Sequence, residues 1–182
     1  MRTFIAIELE DELKNYIFEK QQILKSNSEK GNFSRKENFH LTLRFIGESS
    51  PTQIEALKKA IDTTSEKITS FGLKLGELGY FPKKNRKIIW LGIGEGKATL
   101  QQLFNELENN LYRDGFKREE RGLSPHITLG RQVILKKGFD KIAEDINILY
   151  KDIPVKKISL MESTRINDIL TYRPIYTKPL IS

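Results

Sequence analysis

The chain has 182 residues, 38% of them hydrophobic, no cysteine, and a net charge of +7 at neutral pH. The composition excludes disulfides and thiolate metal sites, and no run approaches the roughly 20 apolar residues of a membrane helix. The positive charge favours a polyanionic partner through electrostatic steering.

Strand and helix patterns alternate in the first part of the chain. Residues 1–9 predict a strand. This segment is too short and too soon charged to be a signal peptide. We therefore expect a cytoplasmic protein. A helical spacing of apolar residues follows over about 11–25, and a second strand over 39–46. Ser50 predicts a helix start, with proline next and a glutamine in the capping-box position.

The second part of the chain continues the alternation. Strands are predicted over 71–81 and 87–93, and the apolar run around Trp90 places that side chain in the core. A clear amphipathic pattern predicts a helix over 100–111, which closes near Asp114 and Gly115. The remaining predicted elements are a helix over 142–149 and strands over 155–163 and 172–180.

The only two histidines open matching tetrads, His40-Leu41-Thr42-Leu43 and His126-Ile127-Thr128-Leu129. Because alternate residues of a strand share a face, each histidine shares one with the threonine two positions on, and the apolar residues face the core. On this pattern Arg44 joins His40 and Thr42 outside, whereas Phe45 points inward with Phe39. Imidazole, hydroxyl and guanidinium groups suit an anion, and histidine can exchange protons near neutral pH.

The tetrads lie at corresponding places in two similar orders of elements. This predicts an α+β fold, with one bilobal domain over residues 1–182. Two pseudo-symmetric lobes would bring antiparallel sheets to face each other across a central cleft, with helices on the outside. We expect a monomer.

The paired tetrads resemble those of the two-histidine phosphoesterase superfamily, most closely its bacterial and archaeal RNA 2′,3′-cyclic phosphodiesterases, formerly named 2′-5′ RNA ligases. The resemblance covers almost the whole chain. Besides the tetrads it rests on residues 1–7, 38–48, 89–92, 124–131 and 160–163, and on Tyr172.

The resemblance implies hydrolysis of a 2′,3′-cyclic phosphate at an RNA end to a 2′-phosphate, with no metal or other cofactor. It makes His40 the proton donor and His126 the proton acceptor. Thr42 and Thr128 would donate hydrogen bonds to the non-bridging phosphate oxygens.

Arg131 is the implied phosphate or nucleotide contact, although strict alternation directs it to the core. A bulge at Gly130, where the family commonly has alanine, could redirect it. Arg44, in phase with His40, is the competing candidate. Phe81 is either a base-stacking residue or a strand-end core residue. The basic clusters at 83–87 and 117–118 are either solvated turns or RNA contacts.

Three alternatives stay open at this stage. A metal site needs more ligands than two histidines supply without cysteine. A non-catalytic RNA- or nucleotide-binding module could use the same cleft, although binding alone does not require a titrating pair. The same chemistry could also act on a small cyclic phosphate, such as a cyclic nucleotide or an ADP-ribose cyclic phosphate.

Overall fold

The computed structural model describes every residue from Met1 to Ser182. It contains nine strands, four α-helices and one 3₁₀ turn. In chain order these are β1 (Arg2–Glu8), α1 (Asp11–Ser26), β2 (Ser28–Phe33), the 3₁₀ turn (Lys36–Asn38), β3 (His40–Glu48), α2 (Pro51–Ser65), β4 (Phe71–Lys83), β5 (Arg86–Glu95), α3 (Lys97–Arg113), β6 (His126–Leu135), α4 (Phe139–Ile146), β7 (Asp152–Val155), β8 (Lys157–Ile166) and β9 (Ile169–Pro179).

The strands form two antiparallel sheets, and each sheet carries one tetrad. The first has the order β3-β1-β8-β9, and the second has the order β2-β6-β5-β4-β7. His40 opens β3 in the first sheet, and His126 opens β6 in the second. The sheets face each other across a cleft with the helices outside, so the predicted α+β architecture is confirmed.

One apolar core of 31 buried residues is shared by both sheets and all four helices. Leu41 and Ile127, the second residues of the tetrads, are fully buried in it. Burial of an aliphatic side chain of this size contributes about 1.5–3 kcal/mol. The apolar residues of the two tetrads thus anchor both histidine strands in the same hydrophobic core.

Local sequence signals set several boundaries correctly. The Ser50 hydroxyl accepts a hydrogen bond from the Gln53 backbone N–H, and the Gln53 side-chain oxygen accepts one from the Ser50 backbone N–H, which completes the predicted capping box at the start of α2. The amphipathic pattern of α3 ends at Arg113, just before Asp114 and Gly115, as predicted.

Three expectations need correction, and one strand was missed. The strand β2 was not predicted, because Ser28–Phe33 is polar and lies at a sheet edge. The last predicted helix ends at Ile146 rather than 149, where Asn147 adopts a left-handed conformation. The strand expected over 155–163 is divided between β7 and β8. Trp90 is only half-buried, because it lies on the face opposite its buried neighbours Ile89 and Leu91.

None of the helices has the length and apolar character needed to cross a bilayer.

Candidate active site

Both histidines line one cleft of about 880 Å³ between the two sheets. Thr42 and Thr128 line the same cleft. The structure therefore brings together the four residues singled out by the tetrad pattern. Because each sheet supplies one imidazole and one hydroxyl, the cleft has two chemically matched walls.

The imidazoles are oriented in the same way. His40 Nδ1 lies 2.7 Å from the Asn38 carbonyl oxygen, and His126 Nδ1 lies 2.6 Å from the Ser124 carbonyl oxygen. A carbonyl only accepts hydrogen bonds, so each Nδ1 carries a proton and each neutral ring keeps its lone pair on Nε2. In both halves the carbonyl belongs to the residue two positions before the histidine.

The Nε2 atoms differ in their partners. His40 Nε2 lies 2.8 Å from the Thr42 hydroxyl oxygen. His126 Nε2 forms no hydrogen bond within the protein, and its lone pair is available to an incoming molecule. Both imidazoles are thus held through Nδ1 in the same way, but only His126 has an Nε2 atom without a partner in the protein.

Aromatic rings support each imidazole. Tyr172 meets His40 edge-on at a centroid distance of 5.2 Å, and Phe81 meets His126 edge-on at the same distance. Phe4 completes the first group at 4.9 Å from His40, and Trp90 lies 6.1 Å from His126. Such contacts restrict ring rotation in addition to burying area. Phe81, 37% exposed, thus lies against the imidazole and the indole rather than in the core.

Burial is the main influence on both titrations, and it lowers the pKa of His40 and of His126 below their ordinary value of 6.5. The hydrogen bonds to the Asn38 and Ser124 carbonyls oppose this effect. The positive charge of Arg131 lowers the pKa of both rings further. An anion bound between the walls would reverse part of this shift by stabilising the imidazolium.

A β-bulge interrupts each tetrad strand at the same residue of the tetrad. Along β3, Ile5 of β1 pairs with Arg44 and the next residue pairs with Thr42, so Leu43 is left without a partner. Along β6, Ile89 and Trp90 pair with Gly130 and Thr128, so Leu129 is left out in the same way. A bulge adds one residue and reverses which face the following residues occupy.

The bulge in β3 overturns two predictions made from strict alternation. Phe45, expected in the core, is 49% exposed and lines the cleft. Arg44, expected beside His40, turns away from the cleft and forms a buried ion pair with Glu108 of α3. Its guanidinium also donates a hydrogen bond to the Lys117 carbonyl. These contacts assign Arg44 to packing rather than to a position beside the histidines.

The bulge in β6 directs Arg131 into the cleft. The sequence placed the irregularity at Gly130, and the pairing of β6 with β5 shifts on both sides of that residue. Gly130 also has a packing role, because a Cβ there would lie 3.0 Å from the Phe33 ring. The buried Gln21 amide donates hydrogen bonds to the Leu129 and Ser34 carbonyls, which holds the bulged backbone against α1.

Several cleft residues were not proposed as site residues from the sequence, although Tyr172 is one of those that carry the family resemblance. Arg2, Phe45, Glu119, Arg121 and Tyr172 all contribute to the lining. The guanidinium of Arg2 lies over the Phe45 ring, 5.0 Å from its centroid. No periodicity marks Arg121, since it lies in the irregular segment before β6.

Metal-ligating side chains do not cluster in this molecule. Nowhere in the chain do three or more His, Asp or Glu side chains come together as a set that could hold a metal ion. Within the cleft, Glu119 is the one carboxylate among the lining residues. The groups available for chemistry there are imidazoles, hydroxyls and guanidiniums.

Comparison with known families decides the relationship. The family model described as the 2′-5′ RNA ligase superfamily matches residues 10–167, a span that includes both tetrads. The chain belongs to the 2′-5′ RNA ligase superfamily.

Relatives within this superfamily match along nearly their whole length. The chain is 32% identical over 177 residues to a protein of Thermotoga maritima named RNA 2′,3′-cyclic phosphodiesterase, covering 97% of this chain and 94% of that protein. It is 33% identical over 168 residues to a protein of the same name from Methanocaldococcus jannaschii, covering 90% and 92%. The crystal structure of Escherichia coli LigT complexed with 3′-AMP has a TM-score of 0.78 at 26% identity, covering 100% of this chain and 98% of that one.

Proposed function

We propose that this protein is an RNA 2′,3′-cyclic phosphodiesterase, which opens the cyclic phosphate at an RNA end to leave a 2′-phosphate and a free 3′-hydroxyl. The observation that carries the proposal is the pair of imidazoles on opposing walls of one cleft, each fixed through Nδ1 by a backbone carbonyl. The printed names of the relatives favour this substrate. The 3′-AMP bound by LigT is a nucleotide ligand of the same general kind.

The reaction needs a base for water and an acid for the leaving oxygen, held on opposite sides of phosphorus. His126 suits the base, because its Nε2 lone pair has no partner in the protein. It takes a proton from water as the water oxygen bonds to phosphorus. The bond from phosphorus to the ribose 3′-oxygen then breaks, and protonated His40 gives its Nε2 proton to that oxygen. Solvent exchange afterwards restores both starting protonation states.

The non-bridging oxygens gain negative charge as water attacks. The hydroxyls of Thr42 and Thr128 line the cleft as donors for these oxygens, and the Arg131 guanidinium adds a fixed positive charge. Thr42 must turn from His40 Nε2 to meet the phosphate, which frees that nitrogen for the leaving oxygen. All these groups belong to the chain itself, so the proposed mechanism requires no metal.

The deciding experiment uses an oligoribonucleotide that ends in a 2′,3′-cyclic phosphate. Incubation with the protein is expected to give a single product, whose phosphate position is mapped with enzymes that distinguish 2′- from 3′-phosphates. A 3′-phosphate product, or recovery of the cyclic end unchanged, would contradict the proposal. A small cyclic nucleotide measured in parallel shows whether the RNA chain itself contributes to recognition.

A further inference from the structure

The hairpin of β4 and β5 carries positive charge without compensation. Its tip places Lys83, Lys84, Arg86 and Lys87 within five consecutive residues. None of these four side chains forms a salt bridge, although ten other Lys or Arg side chains in the molecule do. From Leu78 to Gly94 the hairpin contains no Asp or Glu.

The hairpin adjoins the catalytic cleft at two points. Phe81, two residues before Lys83, lies edge-on to the His126 ring. Arg86 donates a hydrogen bond of 2.8 Å to the side chain of Gln132, the residue directly after Arg131. The basic tip is therefore joined both to the proposed base and to the strand segment that carries the cleft arginine.

The charged side chains at the tip of the hairpin are also mostly exposed to solvent. Lys83, Lys84 and Arg86 are exposed, and the backbone of Lys84 adopts a left-handed turn conformation at φ 58°. The ammonium of Lys87 lies over the Tyr80 ring at 4.8 Å from its centroid, which holds the base of the tip in place. The result is an ordered hairpin with unpaired cations beside the mouth of the cleft.

We infer that this basic tip binds the RNA backbone upstream of the cyclic phosphate, so that the protein prefers an oligonucleotide to a mononucleotide. This inference rests on the proposed function and deepens it. A cyclic phosphate at an RNA end has nucleotides on one side only, and their phosphates repeat a negative charge at every residue. Unpaired cations next to the reacting group attract such a chain by counterion release, whereas a small cyclic phosphate does not extend far enough to meet them.

The test variant is K83Q/K84Q, which removes two charges and leaves the Arg86 and Lys87 contacts intact. The matched control is K20Q/K156Q. Lys20 in α1 and Lys156 before β8 form no salt bridge, and neither segment contributes a side chain to the cleft. Both variants lose the same net charge, so a difference between them reports the position of the charge.

Two measurements are made over a series of salt concentrations. One is kcat/KM for cytidine 2′,3′-cyclic phosphate and for a ten-nucleotide RNA ending in a cyclic phosphate. The other is binding of a fluorescent ten-nucleotide RNA ending in a 2′-phosphate, followed by anisotropy. For wild type we expect a clear salt dependence with the oligonucleotide only. For K83Q/K84Q the slope of log affinity against log salt should fall by about 1.4, since each single-strand phosphate contact contributes about 0.7.

The outcomes separate this inference from the function on which it rests. Equal oligonucleotide affinity and salt slope in K83Q/K84Q and K20Q/K156Q would overturn the role of the tip, even with full cyclic phosphodiesterase activity. Absence of hydrolysis with salt-dependent RNA binding that depends on Lys83 and Lys84 would overturn the proposed function and retain the RNA surface. Turnover of the mononucleotide should stay within twofold of wild type in both variants, and a parallel loss there would also count against the tip.

Discussion

Phe45 and Arg131 occupy equivalent positions in the two halves of the molecule. Each lies two residues beyond the bulged leucine of its tetrad, and each side chain lines the cleft. Their predecessors, Arg44 and Gly130, turn to the packed side. Two bulges at the same tetrad position thus add one aromatic ring and one guanidinium to the cleft.

The first prediction concerns the support of the second bulge. Replacing Gln21 with leucine removes the donors that hold the Leu129 and Ser34 carbonyls, and should lower the free energy of unfolding by about 1–3 kcal/mol. Arg131 should lose its fixed direction, so kcat/KM should fall by more than the stability change explains. The control is Gln22→Leu, because Gln22 is exposed. Denaturant unfolding and steady-state kinetics check both statements, and unchanged activity in folded Gln21→Leu would contradict the second.

A second prediction separates the two arginines proposed as phosphate contacts. Arg44→Met leaves Glu108 buried without its ion pair and should cost about 3–5 kcal/mol of stability. Adding Glu108→Leu should restore most of that loss. Arg131→Met should instead keep near-normal stability and lower turnover by about 10²–10³, the range for one lost transition-state donor. A larger kinetic loss in Arg44→Met/Glu108→Leu than in Arg131→Met would reverse the assignment.

Removal of either histidine side chain gives a third prediction. His40→Ala and His126→Ala should each lower kcat by about 10²–10⁴, the usual contribution of a general acid or base. The double variant should lose much less than the product of the two, since groups that act as a unit are not additive. Thr42→Ala and Thr128→Ala should have smaller effects. Single-turnover kinetics test these values, and near-normal turnover in His126→Ala would refute the paired mechanism.

The lowered pKa values predict the pH dependence. One imidazole must start neutral and the other protonated, and burial shifts both pKa values below 6.5 in the free protein. The profile of kcat/KM, which reports the free enzyme, should therefore be a bell with its maximum below pH 6.5. Bound phosphate favours the imidazolium, so the alkaline limb of kcat should lie at higher pH. The two apparent values belong to the coupled pair.

NMR titration of the imidazoles checks the same shifts without turnover. The chain has only two histidines, so His40→Ala identifies the remaining signal as His126. Arg131→Gln should raise the pKa of both rings, because the guanidinium lowers each of them. A rate that still rises above pH 9 would instead indicate hydroxide or a metal-bound water as the nucleophile.

The fifth prediction concerns metal ions. If imidazoles, hydroxyls and Arg131 do the chemistry, kcat should be unchanged after dialysis against excess EDTA. A metal-dependent nuclease assayed in the same buffer provides the control for chelation. Loss of activity that a divalent ion restores would overturn the proposed mechanism.

The sequence predicted the histidine strands well because their signals are local. Leu41 and Ile127 are fully buried, so the histidine that precedes each of them must lie on the opposite face of its strand, toward the cleft. The Ser50 capping box likewise determines where α2 begins. Alternation failed at Phe45 because a bulge depends on the neighbouring strand. The β3 sequence alone does not show that Leu43 lacks a partner in β1.

Other parts of the site depend on contacts distant in sequence. Tyr172 reaches His40 from a strand that begins more than a hundred residues later, and Arg121 enters the cleft from an irregular segment. The Arg44–Glu108 ion pair, which ties β3 to α3, has no periodic pattern in the sequence. These positions follow from tertiary packing, which single-strand periodicity does not encode.

The two sheets differ in how far apart along the chain their strands lie. The five-stranded sheet uses residues 28–155, whereas the four-stranded sheet combines β1 and β3 with β8 and β9 from the far end of the chain. Because β1 pairs with both β3 and β8, one of its edges stays unpaired until residues 157–166 are in place. The wall that carries His40 thus depends on pairing between the two ends of the chain, a long-range contact of the kind that slows folding.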